Sequence, residues 1–174
     1  QLYKNAWLIG GSLSYSKSNA KSTDQVVTKY SFLNVNANIG YFAWDKVAAG
    51  ILLQLNTTAE RTPEVDGTTR ILNSRLFGAG PFVRYYFMKP ESRINLLSEA
   101  SFIYSTGSQK TTGFPAFKSN SLNYNLFAGP VLYFNSSVGM EFLIGYNRLV
   151  DLSTKTNENY FRIKVGFQIH LESD

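Results

Sequence analysis

Apolar and polar residues alternate with a period of two along most of this chain. The clearest run is Leu33-Asn34-Val35-Asn36-Ala37-Asn38-Ile39-Gly40-Tyr41. Successive strand side chains point to opposite faces, so Leu33, Val35, Ala37, Ile39 and Tyr41 share one side, and the asparagines share the other with Gly40. A helix would scatter both sets around its circumference. The same template recurs over residues 6–16, 47–58, 71–87, 94–105, 122–134, 138–147 and 160–171, which predicts about eight strands in all.

The connections differ in length. Three are short, around Trp44-Asp45, Lys89-Pro90-Glu91-Ser92 and Asn135-Ser136-Ser137. Four are long and polar, near 17–29, 59–70, 107–120 and 149–159. Short turns on one rim, long loops on the other and an even strand count predict an all-β fold, a closed antiparallel up-and-down barrel in which 1–174 is one domain. Gly80-Pro81-Phe82-Val83-Arg84-Tyr85-Tyr86-Phe87 is echoed by Gly129-Pro130-Val131-Leu132-Tyr133-Phe134. Proline removes a ladder donor, so each copy predicts a bulge or local irregularity.

Alternation is shared by membrane barrels and soluble lipocalin-like ones, and the makeup of the polar face separates them. A solvated face is rich in Lys and Glu. Here that face is Gly, Ser, Asn and Gln with a few charges of both signs: Arg84, Glu99, Glu141, Arg162 and Lys164. Such a set suits the crowded lumen of a small barrel. Desolvated charges need partners, so these five are expected to pair inside, Arg84 with Glu99 across the 89–92 turn. The cluster reads either as a narrow ion path or as a polar plug. Phe82, Phe127, Tyr133 and Tyr160 on the same face favour the plug.

The apolar face ends in aromatics: Trp7, Tyr15, Tyr41, Tyr85, Phe87, Tyr104, Tyr124 and Tyr146. Aromatics at both ends of a lipid-facing band form interfacial girdles, so a transmembrane barrel is expected.

Composition agrees with this. Charged residues are 17% of the chain, below the roughly 25% usual for soluble domains. The longest apolar run, near 47–53, is far short of a helical span, so a membrane location requires a barrel. The absence of cysteine removes thiol and Cys-zinc chemistry. The net charge of +5 is dispersed, and no nucleic-acid partner is expected. No signal peptide precedes the first strand, as expected of a mature N-terminus.

The Gly80 to Phe87 stretch, followed by a short turn and a strand carrying Glu99, resembles the porin-like "outer membrane protein beta-barrel" family of Bacteroidetes type. In architecture it is similar to the small OmpA/OmpX-like eight-stranded barrels. The resemblance implies integral placement in the Gram-negative bacterial outer membrane, assembly by the barrel-insertion machinery and no enzymatic activity. One departure is the C-terminus, which runs past Phe167 to Leu171-Glu172-Ser173-Asp174 instead of ending on an aromatic. No OmpA-like peptidoglycan-binding domain follows within this sequence.

Catalytic and metal sites find little support. The one histidine, His170, faces inward with no serine two positions away, and no loop carries another. No cofactor and no metal are expected. Asp66-Gly67 and Gly107-Ser108 read as turn formers. The long loops carry Lys17, Lys21, Lys29, Arg61, Arg70, Arg75, Lys110, Lys118, Arg148 and Lys155, a basic rim suited either to lipopolysaccharide phosphates or simply to water. Phe114 and Phe117 stand in a polar loop, where they either fold back on the rim or touch a partner. The expected role is a non-enzymatic barrel, structural or an accessory subunit of an envelope complex, among outer-membrane lipid and lipopolysaccharide. The alternatives are a small-molecule binder or transporter at the barrel mouth, for instance for a hydrophobic ligand, and a soluble lipocalin-like barrel.

Overall fold

The computed structural model describes residues 2–21, 27–63 and 68–171. Eight strands follow one another: β1 (Trp7–Lys21), β2 (Val27–Trp44), β3 (Val47–Pro63), β4 (Thr69–Tyr86), β5 (Ile94–Thr111), β6 (Phe117–Tyr133), β7 (Val138–Asp151) and β8 (Thr156–Leu171). Each is antiparallel to its neighbours, and β8 pairs with β1 to close the barrel. Over the stretch where β1 and β8 pair, closure leaves no sheet edge to solvate.

The strands are longer than the alternating runs. β2, β4 and β5 each span 18 residues. Most of what reads as long loops in the sequence is paired strand, with Asn19 opposite Lys29 and Glu60 opposite Leu72. A ladder needs only backbone partners, so it continues past the last apolar position wherever both faces are wet. The tips that remain are short, such as 112–116 and 152–155. The Asp66-Gly67 turn, part of the 17–29 segment and Glu172 to Asp174 lie outside the described residues.

The Gly-Pro echo is an interruption and not a bulge. On the β4–β5 ladder the pairing skips from Ala79↔Tyr104 to Phe82↔Ser101, and on β6–β7 from Ala128↔Ile144 to Val131↔Glu141. The register is the same on both sides of each gap. At each gap the neighbouring backbone crowds the glycine: a Cβ on Gly80 would collide with the Phe102 carbonyl oxygen, and one on Gly129 with that of Phe142. The one register shift among the described residues is at Phe42/Trp44, beside the Asp45-Lys46 turn where Lys46 takes φ 64°.

The core is the lumen. Leu2, Leu8, Phe42, Tyr86, Leu97, Val131 and Tyr133 are buried around the axis at the rim where β1 begins and β8 ends. The 2–6 segment folds under the barrel, held by hydrogen bonds from Lys46 N to Leu2 O at 2.8 Å and from Asn5 N to Phe42 O at 2.9 Å. The opposite parity points outward as a belt around all eight strands, including Ile9, Ile39, Ile51, Val83, Leu96, Leu126, Ile144 and Ile163. A water-soluble monomer seldom exposes a contiguous apolar patch above about 300–600 Å². Every strand contributes to this belt.

Candidate functional site

Above the apolar base lies a layer of ions. Arg84 on β4 faces Glu99 on β5 directly in the ladder, and Nε donates to Glu99 Oε2 at 2.6 Å. Arg84 also pairs across the lumen with Glu141 of β7 at 2.9 Å. Lys164 of β8 reaches the same two carboxylates, 3.5 Å from Glu99 and 3.3 Å from Glu141. Two cations thus meet two carboxylates. Gly166 is paired with Glu141, and a Cβ there would lie 3.1 Å from its carboxylate, so the missing side chain makes room for the acid.

An amide knits this layer to the base. Gln168 Oε1 accepts from Arg84 Nη1 at 3.0 Å and from the Tyr86 hydroxyl at 2.8 Å. Its Nε2 donates to Tyr133 Oη at 3.0 Å. The His170 ring packs beside those of Phe42, Tyr86 and Tyr133. Arg84, Glu99, Glu141, Gln168 and His170 are all at most 1% exposed. Ions and rings together fill the barrel axis in this half.

Four of the five charges grouped by the sequence therefore meet, and Arg162 stands apart. It is exposed, its Nη2 donates to Tyr160 Oη at 3.0 Å, and its guanidinium stacks 5.2 Å from that ring. No carboxylate pairs with it among the described residues. The reason is height: Arg162 lies two residues further than Lys164 towards the open rim, above both acids. Gln168 and Tyr86, which complete the network, carry no charge to single them out, although alternation already put Gln168 on the inner face.

Beyond the ions the lumen opens into a cavity of about 700 Å³, walled by amides including Asn34, Asn36, Gln54, Asn123, Asn125 and Asn147. Some satisfy one another: Asn36 donates to Asn34, Asn34 to Asn56, and Asn125 to Ser101. Asn147 is fully buried, and neither atom of its carboxamide has a hydrogen-bond partner.

The aromatic residues named from the sequence all project from the outer face and fall at two heights. Trp7, Tyr41, Tyr85 and Phe87 ring the closed end, with Trp7 edge-on to Tyr41 at 5.3 Å and Tyr85 edge-on to Phe87 at 4.9 Å. Tyr15, Tyr104, Tyr124 and Tyr146 stand towards the open end, where Tyr146 meets Phe161 at 5.7 Å. Phe114 lies in a tip and Phe117 opens β6, and both rings are exposed.

The fold has solved counterparts. The N-terminal β-barrel domain of OprF from Pseudomonas aeruginosa superposes with a TM-score of 0.52 at 14% identity, covering 97% of this chain and 98% of that one. Neisserial surface protein A (NspA) gives 0.50 at 12% identity, covering 97% of each. No family model and no curated protein matches the sequence. In fold, then, the chain is a closed eight-stranded antiparallel barrel similar to those of OprF and NspA.

Proposed function

We propose that this chain is an integral β-barrel of the bacterial outer membrane, non-conducting and non-enzymatic, with a structural or accessory-subunit role in the cell envelope. The inverted distribution of polarity carries this reading: charges and amides lie on the axis while the outer surface is an apolar belt with aromatic borders. A hydrocarbon surrounding makes that arrangement favourable, since the interstrand ladders satisfy most of the backbone and the belt meets acyl chains. The neutral ion layer over a ring-packed base argues for a plug. The basic residues of the far rim suit lipopolysaccharide phosphates. Membership of the porin-like Bacteroidetes-type family belongs to the same proposal and rests on the Gly80 to Phe87 signature.

The test is insertion followed by electrical recording. Refolded protein is expected to require detergent, to shift its gel mobility on heating, and to insert into planar bilayers without steady single-channel currents. A monodisperse protein in plain buffer defeats the membrane reading, and reproducible currents defeat the plug. A second reading, a binder of a small molecule at the barrel mouth, is favoured by the cavity that opens above the ions.

A further inference from the structure

Seven of the eight interstrand ladders run most of the length of their strands. The eighth does not. Among the described residues, β1 and β8 share five pairs, Trp7↔Leu171 to Gly11↔Phe167, all at the closed end. From Ser12 and Gly166 upward the two strands part, although each remains paired to its other neighbour.

The cavity reaches that seam. Nearly all its lining residues belong to the inner face, and the three that do not are Leu13, Ile163 and Val165, outward residues of β1 and β8. Leu13 and Ile163 are 72% and 77% exposed, well above Ile9 at 40% and Ile169 at 41%, where the same strands are zipped. The lumen therefore opens sideways, between the two aromatic heights, into the zone the belt assigns to acyl chains. That assignment rests on the membrane reading above.

Unpaired strand backbone is unfavourable in dry hydrocarbon, so the seam suits an amphiphile, whose polar head can enter the lumen past the strand edges while its apolar part meets the belt. The inner wall adds detail. Asn147 presents a buried carboxamide with neither end satisfied, and Arg162, one of the lining residues, has no carboxylate partner among the described residues. We infer that the β1–β8 seam and the cavity behind it form a binding site for an anionic single-chain amphiphile, its tail between Leu13 and Ile163 and its head between Arg162 and Asn147. The shared chemistry is one acyl chain on a carboxylate or phosphate. A strand from another protein would cover the seam but leave the cavity wall unsatisfied.

The protein in phosphatidylcholine nanodiscs is titrated with palmitate, with 1-palmitoyl-lysophosphatidylglycerol and with neutral monopalmitoylglycerol, and complexes are read by native mass spectrometry. One anionic molecule per barrel is expected, with the neutral probe about tenfold weaker or more, and the two anionic arms identify a carboxylate or a phosphate as the preferred head. Arg162→Gln removes the preference for charge. Asn147→Leu weakens binding about tenfold or more and raises the unfolding temperature of the empty barrel, because it deletes an unpaired amide. A purely structural asparagine would instead give a lower unfolding temperature. The inference is overturned if neither anion binds an inserted, heat-modifiable barrel, if binding ignores Arg162, or if the seam holds a second protein strand. Detergent-free solubility defeats the membrane reading itself and is scored separately.

Discussion

Arg84 has no exposed surface, yet four polar side chains surround it, from β5, β7 and β8 and from Tyr86 on its own strand. Removing one partner of a buried ion set costs about 3–5 kcal/mol, because the remaining charge is stranded. Glu99→Gln leaves Arg84 and Lys164 facing Glu141 alone, so the urea midpoint in lipid vesicles should fall by an amount in that range. Arg162→Gln, outside the network and exposed, should change stability by no more than about 0.5 kcal/mol. Equal losses in the two variants would show that the ions do not act as described. A second residue pair works beyond the apolar belt, outside the strands. The Tyr3 hydroxyl donates to the Glu91 carboxylate and holds that carboxyl below its ordinary value, while the Tyr3 hydroxyl is held above its own. This clasp is intact above the usual carboxyl range near 4.3 and is lost as pH falls through the lowered value. On the alkaline side it is lost once pH rises through the raised tyrosine value. Amide-exchange protection at Lys46, whose N–H is bonded to the Leu2 carbonyl, should therefore drop in acid, and Tyr3→Phe should abolish that pH dependence.

Among the elements, the two Gly-Pro sites show how backbone approach constrains sequence. At Gly80 an added Cβ meets backbone, which cannot yield as a side-chain tip can. Gly80→Ala is expected to destabilise by about 1–3 kcal/mol or to block refolding. Gly113→Ala, at φ 81° with nothing within 4 Å, should cost only about 1 kcal/mol of local strain. Urea titrations of the two variants compare them, and equal midpoints would contradict the crowding. The contrast also shows what was legible in the sequence. Gly80-Pro81 and its echo announced an irregularity, since proline lacks a donor. The pattern did not separate a skipped bridge from a bulge, because register depends on the partner strand. Strand ends were hidden for a related reason: the stretches beyond the belt, such as Ser16 to Lys21 in β1, have no apolar face to mark them.

At the scale of the whole barrel, two facts of the sequence pointed to the architecture: alternation in eight segments, and connections of alternating length that suit an up-and-down barrel. Parity also placed Arg84, Glu99, Glu141 and Lys164 inside, because an inward position is a local property. Height along the axis is not local. Arg162 has the parity of Lys164 but lies too far up to reach either acid, and only the stagger between strands reveals it. The lateral seam was equally invisible, since nothing in β1 or β8 read alone says where their shared ladder stops. Arg84 carries one more consequence. Its counter-charges and its amide acceptor come from strands synthesised after it, the last of them from the strand that completes the cylinder. In the membrane setting proposed above, a chain halted before that final strand docks would hold a bare guanidinium within an oily slab, which makes the half-rolled sheet a poor resting place. The ion layer thus acts as a lock that engages only once the sheet has rolled shut.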